Sequence, residues 1–154
     1  MPLKRIWGRN MKKILIINGP NLNLLGGREE DIYGRRSFDE VYEELETFAS
    51  KNRIDLSYFQ SNSEGEIIDR LHSAIGKFDS VVINPGALTH YSYSLHDAIA
   101  ASKLPVIEVH ITNIYKRGGW RAKSVISPAV KGVILGFGTD VYKLGLYAAI
   151  NIGD

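Results

Sequence analysis

Short apolar runs rich in β-branched residues punctuate the chain at positions 14–17, 54–59, 81–83, 106–109 and 133–135. Each has the length of a strand and is too short for a helix, so five strands are predicted. The segments between them space their apolar residues three or four apart: Phe38, Val41, Leu45 and Phe48; Ile67, Ile68, Leu71 and Ile75; Leu95, Ala98 and Ile99; Val141, Leu144 and Ala148. That spacing predicts four amphipathic helices. Ser37 with Glu40 and Ser63 with Glu66 read as capping boxes that start the first two.

Strands that are apolar throughout, alternating with amphipathic helices, imply a parallel sheet covered on both faces. Five such units fit an α/β, flavodoxin-like doubly wound domain with strand order 2-1-3-4-5. Residues 11–154 are expected to form this single domain, and residues 1–10 a flexible extension ahead of a second possible start at Met11. Ligands of such sheets bind beyond the carboxyl ends of the strands, near the switch between strands 1 and 3. Chemistry is therefore expected just after Asn18, Asn84 and Val109.

After strand 1 comes a loop, residues 18–34, longer than most strand-to-helix connections. It carries Arg28 and Tyr33 between Gly26-Gly27 and Gly34. A guanidinium beside a phenol favours the phenolate and would make it a usable base. A solvated loop with a surface arginine and a packed tyrosine is the plainer reading. After strand 3, NPGALTHYS delivers Asn84 and His90 to the rim. Strand 4 ends in IEVHITN, whose Glu108 and His110 are two apart and so share one side, where the carboxylate can orient the imidazole. The following loop brings Arg117 and Arg121. Arginines hold carboxylates through paired hydrogen bonds, and Asn and His bond hydroxyls, so a small polyhydroxylated anion suits this rim. A tyrosine base facing a histidine acid would abstract a proton next to a carbonyl and expel water or an alcohol. Each residue also has a duller role: His110 as a structural histidine, Asn84 as a turn former, Arg117 and Arg121 as solvated charges, His96 at a surface or interface. Tyr91, Tyr93, Tyr142 and Tyr147 read as packing or interface residues.

Composition narrows the field. With 154 residues, 44% of them hydrophobic, the chain can bury one adequate core. The formal charge is only +2, and Lys4, Arg5, Arg9, Lys12 and Lys13 supply more than all of it, so no nucleic-acid groove is indicated. The absence of cysteine excludes a disulfide framework and a thiolate nucleophile, and permits the cytoplasm. The apolar run at 14–17 is far too short for a membrane span. His72, His90, His96 and His110 show no metal-ligand spacing. Neither a G-x-S-x-G elbow nor a Walker A loop occurs. A flavin-phosphate loop would want hydroxyls where PNLNLLGG stands, and a phosphoacceptor domain would want acids in place of Asn18 and Asn84. An assembly protein that kept the fold but lost turnover is the remaining rival, and the joint presence of Arg28, Tyr33 and His110 argues against it.

Four motifs together resemble type II 3-dehydroquinate dehydratase: ING-PNLNLLG-x-RE-x-x-IYG at 17–34, INPGA-x-TH-x-S at 83–92, IEVH-[IL]-[ST]-N at 107–113, and R-x-x-S-x-x-SP at 121–128. The resemblance covers residues 13–150. It implies a cofactor-free, metal-free anti elimination of water from 3-dehydroquinate, giving 3-dehydroshikimate through an enolate, on the route to chorismate and the aromatic amino acids. It implies Tyr33 as the base, Arg28 as the lid arginine that favours its tyrosinate, Asn21 as the holder of a water against the enolate, His110 as the general acid and Glu108 as its orienter. Asn84, His90 and Arg121 match substrate-binding positions, and the backbone of Ile111 and Thr112 a carboxylate-binding turn. Asp97 matches an acid that reaches the site across a subunit boundary. A cytoplasmic homo-dodecamer, a tetramer of trimers, is implied, with no nucleic-acid or membrane partner. The chain departs from the family pattern at Thr112 (often Ser), at His96 (usually Arg), at Tyr115 and Gly118-Gly119 (commonly His and an acidic pair) and at Leu88.

Overall fold

A computed structural model of the chain describes residues 10–27 and 29–152. The expectation of a flexible extension therefore falls almost wholly outside the described residues. Five strands, β1 (Lys12–Asn18), β2 (Ile54–Gln60), β3 (Ser80–Asn84), β4 (Val106–His110) and β5 (Gly132–Leu135), form one sheet. All pair in parallel in the order β2-β1-β3-β4-β5, as the alternation of strands and helices predicted. The helices are α1 (Glu30–Tyr33, a single turn), α2 (Phe38–Lys51), α3 (Glu64–Ala74), α4 (Tyr93–Ser102) and α5 (Asp140–Asn151). Among the described residues no helix is long and apolar enough to cross a membrane.

The two-residue period of β1 divides the core. Ile14 and Ile16 join the cluster under α2 and α5, while Leu15 and Ile17 join the one under α3 and α4, and all four are wholly buried. Burial of such a side chain stabilises the fold by about 1.5–3 kcal/mol, which is why the middle of β1 is an unbroken apolar run. Edge strand β5 is half-exposed instead.

Ser37 and Ser63 accept the backbone N–H groups of Glu40 and Glu66, so both predicted helix starts hold. The reciprocal arm of the second box is different: the Glu66 carboxylate accepts from the Ser61 hydroxyl, which in turn accepts the Ser63 N–H. Two buried faces are rotated from the expected ones. In α3 the stripe runs Ile67, Leu71, Ala74, leaving Ile75 48% exposed just past the helix. In α5 it runs Val141, Tyr142, Gly145, Leu146, Ala149, and Leu144 faces out. Gly145 is the cause: a Cβ there would lie 2.9 Å from Val82 Cγ1, so its bare backbone lets α5 settle onto the sheet.

Candidate active site

The site begins where β1 and β3 end side by side, with Asn18 paired to Asn84. The Gly19 N–H donates to the Asn84 carbonyl at 2.8 Å, and a Cβ on Gly19 would sit 2.4 Å from the Pro85 carbonyl oxygen, so only glycine lets these two turns meet. Beneath them lies Tyr142 of α5, fully buried, its hydroxyl donating to Asn18 Oδ1 at 2.8 Å and accepting from Asn84 Nδ2 at 2.9 Å. Burial drives the Tyr142 phenol far above its ordinary pKa, so it stays a neutral O–H. Asn84 does form the turn, accepting the Gly86 N–H through Oδ1, and it also lines a cleft beyond the strand ends.

One wall of the cleft is built on β4. Glu108 is completely buried, yet three hydroxyls donate to its carboxylate: those of Thr89 and Ser124 to Oε1 and that of Ser127 to Oε2. Burial raises the Glu108 carboxyl, but the His110 ring and the hydroxyls of Ser127 and Thr89 outweigh it and hold the group below the usual carboxylate range. His110 Nε2 lies 3.1 Å from Oε1, within ion-pair distance but off the line that a directed hydrogen bond requires. The contact is therefore chiefly electrostatic, and it leaves the other ring nitrogen for whatever occupies the cleft.

A second part of the cleft's lining comes from elements outside the sheet. Tyr33 closes the single turn of α1, and Arg117 donates to its hydroxyl at 2.8 Å with the guanidinium carbon 5.6 Å from the ring centre. Arg117 is thus not the solvated charge its sequence context indicates. Arg28, expected beside this tyrosine, lies outside the described residues. His90, also in the lining, donates Nδ1–H to the Lys123 carbonyl at 2.6 Å, because a carbonyl can only accept. Its pKa is lowered by burial first and by the positive charges of Arg121 and Arg117 nearby, which keeps the ring neutral with Nε2 an acceptor. Trp120 meets His90 edge-on at 5.1 Å and carries the Arg121 guanidinium 4.0 Å from its centroid.

Asn21, in a left-handed conformation (φ 69°), also lines the cleft, as do Ile111, Thr112 and Arg121. One chain thus gathers nearly every residue expected at the site. Arg28 lies outside the described residues, and Asp97 is exposed on α4 and does not border the cleft of its own chain. His96 is half-buried, its Nδ1 2.7 Å from the Val125 carbonyl, so it ties α4 to the loop after Arg121 rather than standing free at the surface. Sequence reasoning missed Trp120, the polar task of Tyr142 and the hydroxyls around Glu108. Ser124 and Ser127 stand inside a quoted motif and could have been suspected as partners; nothing in the sequence singled out Trp120. Among the described residues, no group of three or more His, Cys, Asp or Glu could hold a metal ion.

The model of the dehydroquinase class II family matches residues 12–150. The chain belongs to that family. As a class II dehydroquinase it is an enzyme, a hydro-lyase, and its flavodoxin-like sheet is the family's. A 3-dehydroquinate dehydratase of Caldicellulosiruptor saccharolyticus is 55% identical over 143 residues, 92% of this chain and 99% of that protein. The 3-dehydroquinate dehydratase of Bacillus pumilus is 48% identical over 143 residues, 93% of this chain and 97% of its own. In structure the chain is similar to the type II dehydroquinase of Butyrivibrio crossotus, with a TM-score of 0.89 at 41% identity, covering 92% of this chain and 99% of that one.

Proposed function

We propose that this enzyme converts 3-dehydroquinate to 3-dehydroshikimate by a cofactor-free anti elimination, on the route to aromatic amino acids in the cytoplasm. One observation carries the reading: a phenol bonded by a guanidinium and an imidazole backed by a buried carboxylate line one cleft. Tyr33, its oxygen bonded by Arg117, acts as the base that removes the proton alpha to the ketone, with Arg28 as the lid arginine. The electron pair moves into an enolate, against which Asn21 holds a water. His110, as imidazolium beside anionic Glu108, gives its proton to the departing hydroxyl, which leaves as water. Tyr33 has then gained a proton and His110 lost one, and transfer through solvent restores both. The net change is the loss of one water.

Binding follows from the same chemistry. Arg121 with the backbone of Ile111 and Thr112 holds the carboxylate, and Asn84 and the accepting Nε2 of His90 hold ring hydroxyls. Asp97, exposed on its own protomer, reaches a neighbour's site in a dodecamer built as a tetramer of trimers. The rate enhancement rests on general acid and base terms of ~100 to 10,000-fold each, plus stabilisation of the enolate.

Mixing purified protein with 3-dehydroquinate and following the conjugated enone by ultraviolet absorbance tests the reading. Steady growth of the band is expected. No growth with a correctly assembled oligomer, verified by light scattering, would overturn it.

A further inference from the structure

The polar groups under the cleft floor form a chain whose direction can be deduced. The Gly86 N–H can only donate, so the Asn84 atom facing it at 3.2 Å must be Oδ1. Asn84 Nδ2 therefore faces Tyr142 and donates to its oxygen at 2.9 Å, and the tyrosine must pass its own proton to Asn18 Oδ1 at 2.8 Å. Asn18 Nδ2 is left to face the Tyr58 hydroxyl, at 3.4 Å. Every amide in the row is thereby assigned a single orientation.

We infer that Tyr142, which touches no ligand, is a positioning residue: together with the Gly86 N–H its buried hydroxyl clamps the plane and polarity of the Asn84 amide, so that Asn84 presents an N–H donor to the cleft. Asn84 Nδ2 carries two protons; one goes to Tyr142 and the second remains for the cleft that Asn84 lines. The partner that Asn84 selects is then an oxygen able to accept, such as a hydroxyl or carbonyl oxygen of the bound acid. A bare phenyl ring in place of the phenol, as in Tyr142→Phe, would offer neither donor nor acceptor to two asparagines that are 0% and 3% exposed. The inference rests on the proposed dehydratase reading for its kinetic test and on the hydrogen-bond polarity alone for its spectroscopic one.

The experiment is a double-mutant cycle with Tyr142→Phe and Asn84→Ala on the full chain. A donor that binds ground state and transition state alike governs KM, so Tyr142→Phe is expected to raise KM roughly tenfold, the size of one neutral hydrogen bond, with kcat changed less than about threefold. In the Asn84→Ala background the same substitution is expected to change KM less than about twofold, because the group it positions is gone. A merely structural role would lower thermal stability equally in both backgrounds without this split. Unchanged KM in Tyr142→Phe, or a tenfold rise that persists without Asn84, would overturn the inference. Nitrogen–proton NMR of the Asn84 side-chain amide reads the clamp independently of turnover. Slow solvent exchange in the wild-type protein, with a displaced resonance in Tyr142→Phe, is expected; rapid exchange of both wild-type protons would overturn the clamp even if Tyr142→Phe failed to fold. If the wild-type protein left 3-dehydroquinate unchanged while the protected amide was seen, the functional reading would fail and the clamp would stand.

Discussion

The two walls of the cleft are made in opposite ways. Glu108 and His110 sit two residues apart on a central strand, 0% and 5% exposed, with three hydroxyls from two neighbouring segments closing on the carboxylate. Tyr33 and Arg117 are separated by 84 positions, stand on loops, and are only half-buried. The Glu108–His110 pair is set by the strand itself, and the two flanking segments supply the hydroxyls that hold the carboxylate. The base side needs two loops ordered against one another, at a conformational cost of about 1–2 kcal/mol per residue fixed. That contrast teaches where substitutions should couple to stability and where they should touch chemistry alone.

The largest expected effect is on the loop wall. Tyr33→Phe should lower kcat by about 100 to 10,000-fold, the range of a general base, with only a small fall in melting temperature, because the hydroxyl packs into no core and loses one part-buried bond from Arg117. A steady-state assay beside a thermal melt checks both halves. Glu108→Gln strikes the strand wall and should do double damage: about 100-fold in kcat, and about 1–3 kcal/mol in stability, since hydroxyls now donating to the carboxylate lose acceptors. Linkage gives the sign. The depressed Glu108 pKa contributes stability above its unfolded value that is lost as pH falls through the folded one, so acid unfolding of the variant should be less pH-dependent than that of the wild type.

Arg117→Ala should sharpen the comparison by weakening the base wall without unfolding it. Loss of a charge-assisted hydrogen bond of about 1.5–3 kcal/mol corresponds to roughly 10 to 100-fold in kcat/KM. Gly145→Ala, remote from both walls, crowds Val82 and should cost about 1–3 kcal/mol in denaturant unfolding while kcat stays at the wild-type value. The smallest effect concerns His90. Its lowered pKa keeps Nε2 an acceptor at neutral pH, so KM should rise only on acidification below the ordinary imidazole range, as the ring gains a proton.

How far these walls could be read from sequence follows the same division. The strands, their order and the pairing of Glu108 with His110 are local or periodic properties, and the alternation of apolar runs with helices is enough to expose them. Ile75 and Leu144 were misplaced because hydrophobicity counts side chains, whereas the buried stripes pass through Ala74 and Gly145, whose value lies in being small. Arg117 was visible only as a charge near the rim; that its guanidinium meets Tyr33 depends on how two loops fold together, which no spacing encodes. Tyr142 presents the same difficulty from inside: its ring reads as packing, and the two asparagines it joins lie on different strands.

The division of labour between the walls can be measured in one experiment. In deuterated water, His110→Asn should still let Tyr33 remove and return the proton alpha to the ketone of 3-dehydroquinate. Proton NMR should then show that signal disappearing faster than the spontaneous rate, with little 3-dehydroshikimate formed. Tyr33→Phe should show no such exchange. Enzyme-dependent exchange that survives Tyr33→Phe would contradict the assignment of that tyrosine as the base.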